Sequence, residues 1–135
     1  MTKIDATKIW ALHYRLIMSV IVNVAPKLAD FGLESKELFL LSELEEHPYP
    51  AELAATLCMP KPTVTVHVKR LESMGLVRRG IDPTDLRRHR LVLTPAGRKV
   101  LTQGLAMLSE SFGSRLERLS PAQQTELKRL LEKMS

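Results

Sequence analysis

With 135 residues, 44% of them hydrophobic and only 4% aromatic, the chain has side chains for one aliphatic core, which excludes a disordered polypeptide. Its formal net charge of +5 is concentrated: residues 61–99 hold ten Lys/Arg against three acids, a local net of +7, while the remainder nets −2. A basic segment of this kind calls for a polyanionic partner, most often nucleic acid. The lone cysteine, Cys58, excludes a disulfide framework and a Cys-based zinc centre within one chain, and fits a reducing cytoplasm.

Residues 5–25 read as a first helix. Ile9, Leu12, Leu16, Val20 and Val24 recur at spacings of three and four, and Trp10, Ile17 and Ile21 widen the stripe beyond one face. Such a helix needs more than one neighbour. Pro26 is expected to end it. Its apolar run from Leu16 to Ala25, broken by Ser19 and Asn23, is about half the ~20 residues of a membrane span. Asp5 in the would-be basic region and Pro26 directly after Ala25 argue against a secretory signal.

Gly32 punctuates the chain. Leu38, Leu40, Leu41 and Leu44 make a second amphipathic helix ending near His47-Pro48, and Pro50 suits the first turn of a short helix over 51–57 that buries Leu53, Ala54 and Leu57. The next stretch is ambiguous. Thr63-Val64-Thr65-Val66-His67-Val68 alternates like a strand, yet Val64, Val68 and Leu71 also fall at i, i+4 and i+7. Helix is the better reading, because Pro60 and Pro62 suit a helix start and Gly75 a left-handed C-terminal cap. Pro62, Thr63, Thr65, Val66, Lys69, Arg70 and Ser73 then face away from the core.

Leu76 to Arg79 and Arg90 to Leu93 read as strands around the turn Asp82-Pro83-Thr84-Asp85. Thr94-Pro95 is an N-cap followed by proline at the first helical position, and Leu101, Leu105, Leu108, Phe112, Leu116 and Leu119 give a helix of about six turns. Ser120-Pro121-Ala122-Gln123 is a capping box for a last helix expected to bury Leu127, Leu130, Leu131 and Met134. A short helix, tight turn and second helix followed by a two-stranded hairpin is a winged helix-turn-helix. The fold class is therefore mainly α (α+β). It is a single domain over 1–135, with a winged helix-turn-helix lobe over 33–94 and helical dimerisation segments over 1–25 and 95–135.

The stretch from Glu52 to Arg98 resembles the DNA-binding core of the multiple-antibiotic-resistance regulator (MarR) family. The strongest match is Asp82-Pro83-x-Asp85-x-Arg87 leading into Leu91-x-Leu93-Thr94-x-x-Gly97-Arg98. Glu52-Leu53-Ala54, Val64-Thr65 and Leu71-Glu72-x-x-Gly75-Leu76-Val77 also fit. The resemblance implies an obligate dimer whose terminal helices interlock, a palindromic operator, and a small-molecule or oxidant signal that releases DNA. Cys58 stands where a glycine is common, Leu86 replaces a common wing arginine, Pro62 sits where serine is frequent, and Val66 where a basic or polar residue is frequent.

The function expected is that of a sequence-specific regulator of transcription, binding double-stranded DNA as a homodimer and released by a small-molecule effector. The alternative is a winged-helix module that docks a protein, which would rarely need a local net of +7. The DNA contacts expected are Lys61, Pro62, Thr63, Thr65, Val66, Lys69 and Arg70 from the recognition helix, with Val66 against a thymine methyl, and Asp85, Arg87, Arg88 and Arg90 from the wing. Arg87 is the minor-groove residue, oriented by Asp85. Trp10, His13, Tyr14 and Arg15 are candidates for an effector pocket, against a plainer structural reading. Cys58 reads as a small buried thiol rather than a redox switch. Glu45-Glu46-His47 lacks the second histidine of a metal site, and no phosphate loop or nucleophile elbow supports catalysis, so neither metal nor cofactor is expected.

Overall fold

A computed structural model describes residues 3–135 of the chain. In order, the elements are α1 (Ala6–Ala29), α2 (Ser35–Glu43), α3 (Pro50–Leu57), α4 (Lys61–Ser73), β1 (Val77–Ile81), β2 (His89–Leu93), α5 (Pro95–Leu116) and α6 (Pro121–Met134). The strands pair antiparallel, with Val77 opposite Leu93 and Ile81 opposite His89. The helical reading of 61–73 holds. Val64, Val68 and Leu71 are buried on one face of α4, and tertiary packing overrides the β-branched alternation.

The chain divides into two compact units, Ala25–Leu105 and a second made of the segments up to Val24 and from Ala106 onward. Within the first unit, α5 packs closely on earlier segments of the chain. A Cβ on Gly97 would lie 2.0 Å from the Leu76 carbonyl oxygen, and one on Gly104 would meet Leu38 at 2.5 Å. The core of this unit is aliphatic, as composition requires: Leu28, Leu33, Leu38, Leu40, Leu41, Leu44, Leu53, Val64, Val68, Leu71 and Leu91 are all buried.

Three expectations about helices are corrected. Pro26 does not end α1, which continues to Ala29. One hydrogen bond is forfeited, but Val20, Val24 and Leu28 form a continuous buried row at i, i+4 and i+8, and Leu28 lies beyond the proline. The turn comes instead at Gly32, whose φ of +74° lets its own N–H reach the Ala29 carbonyl and the Leu33 N–H reach Leu28. In α6 none of the residues expected in the core is buried, and Met134 is 81% exposed. In α3 only Leu53 is fully buried, Ala54 and Leu57 being half-buried. By length and composition α1 does reach membrane-span character, with a mean hydropathy of 1.3 over an 18-residue window, more than its central ten residues suggest.

Capping follows the sequence closely. The Thr94 hydroxyl accepts the Gly97 N–H at 3.0 Å and donates to the Gly75 carbonyl at 2.6 Å, fastening the start of α5 to the end of α4. The Ser120–Gln123 box is reciprocal, at 2.9 and 3.2 Å.

Candidate nucleic-acid interface

Helices α3 and α4 are joined by Cys58-Met59-Pro60. Cys58 is, among the described residues, the non-glycine residue with positive φ, +53°, and its N–H and that of Met59 close the α3 terminus onto Ala55 and Ala54. The thiol is exposed, which corrects the buried reading. A left-handed cap turns the side chain out of the helix pair, and that backbone conformation explains why glycine suits this position.

Along α4, Lys61, Pro62, Val66 and Lys69 are exposed, and Thr63 and Thr65 are half-buried. Val66 is 64% exposed, on the face opposite the buried Val64 and Val68. The Thr65 hydroxyl donates to its own helix at the Lys61 carbonyl, 3.1 Å away, and keeps acceptor capacity outward. Arg70 is engaged elsewhere. Its guanidinium donates to Glu37 at 2.9 Å and to the Gly32 carbonyl at 3.0 Å. Glu37 is fully buried in α2, and its other oxygen lies 3.1 Å from His67 Nδ1. The same carboxylate accepts the Glu34 N–H at 3.0 Å. Arg70 thus clamps α4 to α2, a role hidden in sequence because its partners lie more than thirty residues away. The nearby Glu34–Glu37–His67 grouping has metal-ligand residue types, as has Glu43–Glu46–His47. In the first, Arg70 and His67 already occupy the buried carboxylate.

In the hairpin, Arg87 is 96% exposed, its Nε 3.8 Å from Asp85. Asp85 also accepts the Arg87 N–H at 3.0 Å, and its carbonyl accepts the Arg88 N–H at 3.0 Å. The two residues expected to act together do meet, through backbone as much as through charge. Arg90 is exposed on β2. Arg88 is exposed but lies over the Tyr49 ring, its guanidinium carbon 3.7 Å from the centroid. Leu86 stands at the tip, 79% exposed.

At the root of the wing, Tyr49 escaped the sequence reading, and Asp82, read there as a turn residue, has a second role. Asp82 is buried, 2% exposed, and accepts hydrogen bonds from the Tyr49 hydroxyl, the Thr84 hydroxyl at 2.7 Å and the Thr84 N–H at 2.8 Å. The Tyr49 and Thr84 donors hold its carboxyl well below the usual carboxylate range, and the same carboxylate raises the Tyr49 phenol. On the other side of the α2–α3 junction, the Leu91 N–H donates to the Pro48 carbonyl at 2.8 Å. The only sequence signal was Tyr49 itself, an aromatic between two prolines in an aromatic-poor chain.

The candidate effector residues lie in the other unit. The Trp10 ring is 6.3 Å from those of both His13 and Tyr14, and all three are exposed on α1. Arg15, next to Tyr14 in the chain, is exposed on the same helix.

The element order, the exposed face of α4 and the basic hairpin define a winged helix-turn-helix protein. Residues 33–89 match the model of the MarR family. Over 132 residues the chain is 29% identical to the HTH-type transcriptional repressor Rv2887 of Mycobacterium tuberculosis, covering 96% of this chain and 95% of the relative. The crystal structure of Rv2887 with salicylic acid superposes with a TM-score of 0.74 at 29% identity, covering 92% of this chain and 93% of that one. The Staphylococcus aureus MepR–DNA complex does so with a TM-score of 0.77 at 23% identity, covering 91% of each chain. The chain is thus similar to the MarR family in its winged helix-turn-helix segment and to a repressor of known name along nearly its whole length.

Proposed function

We propose that the protein is a cytoplasmic, dimeric regulator of transcription that binds duplex DNA in a sequence-specific manner, is released by a small-molecule effector, and acts by binding rather than catalysis. The observation that carries this reading is the pairing of a polar, exposed α4 face with an arginine held out at the hairpin tip, within a segment of local net charge +7. Lys61 and Lys69 neutralise phosphates, Thr63 and Thr65 offer hydroxyls to base edges, and Pro62 and Val66 supply apolar contact, Val66 to a thymine methyl. Arg87 enters the minor groove and Arg90 a flanking phosphate. Arg70 contributes to DNA binding by holding α4 in place. The candidate effector site is Trp10, His13, Tyr14 and Arg15; the salicylic acid bound by Rv2887 makes a small aromatic acid the first compound to test.

The test is to capture genomic fragments with the purified protein and to compare a captured duplex with random duplex across a salt series. The expected result is selective retention of fragments sharing an inverted repeat, with affinity falling steeply as salt rises. Equal affinity for all duplexes, or none, would overturn the reading.

A further inference from the structure

Neither Asp82 nor Tyr49 belongs to the interface proposed above, yet between them they hold both ends of the wing loop. Asp82 opens the loop and Arg88 closes it, and the Asp82 N–H donates to the Arg88 carbonyl at 3.1 Å. One tyrosine ring meets both: its hydroxyl donates to the buried Asp82 carboxylate and its face carries the Arg88 guanidinium. Tyr49 is in turn fixed by the helix-turn-helix. It is the residue that precedes α3, with φ −119° and ψ 139°, and its carbonyl accepts the Leu53 N–H at 3.0 Å.

We propose that Tyr49 is a positioning residue for DNA binding: by gripping Asp82 and Arg88 at once it sets the orientation of the wing loop, and of Arg87 at its tip, relative to α3. This rests on the reading of Arg87 as a DNA contact. Without the grip, the loop keeps the Asp85 bond to the Arg87 amide and the Thr84 contacts within Asp82, which are local to the loop and do not reach α3. Arg87 would then sample more orientations in the free protein, and binding would have to remove them. Arg88 gains a second role. Stacked on an aromatic face, its N–H edge stays free, so a phosphate contact from it is made by a side chain already held.

The experiment uses the full chain, a duplex recovered by genomic capture, and the variants Tyr49→Phe, Tyr49→Leu and Arg87→Ala, alone and with each Tyr49 change combined with Arg87→Ala. Tyr49→Phe keeps the ring and loses the hydroxyl; Tyr49→Leu loses both contacts. In the free protein, Tyr49→Phe should speed amide hydrogen exchange at Thr84, Arg87 and Arg88 about tenfold, the scale of one hydrogen bond to a charged group, with exchange in α4 unchanged. Affinity for the duplex should fall about three- to tenfold for Tyr49→Phe and further for Tyr49→Leu. In the Arg87→Ala background Tyr49→Phe, which keeps the Arg88 stack, should not weaken binding further, and Tyr49→Leu should lose only the smaller share that Arg88 carries. Fully additive losses, or unchanged exchange in the wing while the parent still binds its duplex, would overturn the role of Tyr49 alone. A parent that binds no duplex at all would overturn the DNA reading, and this role with it.

Discussion

At the scale of single residues, the wing and the α3–α4 turn each place an exposed side chain on a backbone held by local hydrogen bonds. Arg87 is nearly free of the chain, so Arg87→Ala is expected to weaken operator binding by about 1–3 kcal/mol while leaving the thermal midpoint nearly unchanged. Asp85→Ala should also weaken binding, although it removes a negative charge, because it releases both the guanidinium and the Arg87 amide. Fluorescence anisotropy at fixed salt checks both, and tighter binding by Asp85→Ala would reduce the wing to a plain electrostatic patch. Cys58 presents the opposite case, a side chain in a conformation that suits none. A left-handed non-glycine residue costs roughly 1–2 kcal/mol, part of which glycine returns as lost freedom. Cys58→Gly is therefore expected to raise stability by about 0.5–1 kcal/mol, a shift of about 2–4 °C in thermal melting. Asp82 carries the pH dependence. Its folded carboxyl titrates below its unfolded value of roughly 3.9, so its contribution is complete above about pH 4 and is lost as pH falls from there toward the folded value. Acid unfolding followed by circular dichroism should be less steep in Asp82→Asn, which should also be less stable than the parent near neutral pH.

At the scale of elements, α4 is held on its inner face and free on its outer one. Val64, Val68 and Leu71 bury it, Arg70 ties it to Glu37 of α2, and Arg79 of β1 pairs with Glu72 at 3.1 Å. The wing is thereby joined to the recognition helix by charge as well as by chain. The start of α5 is fixed more tightly still. Gly97 faces the Leu76 carbonyl so closely that any Cβ overlaps backbone rather than a movable side-chain end. Gly97→Ala is expected to cost about 3 kcal/mol or more, measured by urea unfolding, because relief requires α5 to move off β1 and break the Thr94–Leu76 and Thr94–Gly75 bonds. A cost below about 1 kcal/mol would show that this junction yields.

At the scale of the whole molecule, the helical segments at the two ends of the chain remain unsatisfied. Trp10 is 66% exposed, Ile9, Leu12, Ile17 and Val22 are exposed along α1, and Leu130, Leu131 and Met134 along α6. An apolar groove lined by Phe112, Leu116, Leu127 and Leu131 runs between α5 and α6. So much exposed apolar surface is more than a monomeric soluble domain ordinarily tolerates. Sedimentation at micromolar concentration should give twice the mass of the chain, and Leu130→Asp with Leu131→Asp should shift it toward monomer and weaken DNA binding with it. A parent that sediments as a monomer would count against the dimer.

The sequence by itself determined the element order, the capping of α5 and α6 and the basic hairpin, because each rests on local chemistry: a Thr-Pro or Ser-Pro start, a Gly end, a four-residue turn. Helical period also sorted α4 correctly, Val64 and Val68 inward and Val66 outward. Tertiary structure decided what depends on partners distant in the chain. Pro26 stayed inside α1 because Leu28 beyond it had a place in the core. Arg70 was drawn from the outer face of α4 by Glu37, thirty-three residues earlier, and Asp82 was buried by Tyr49, equally far away. Cys58 turned outward because the junction of two helices needed a left-handed residue, whatever side chain occupied it. A buried charge is tolerated only where its partners converge on it, and that convergence is a property of packing, which no local pattern of residues encodes.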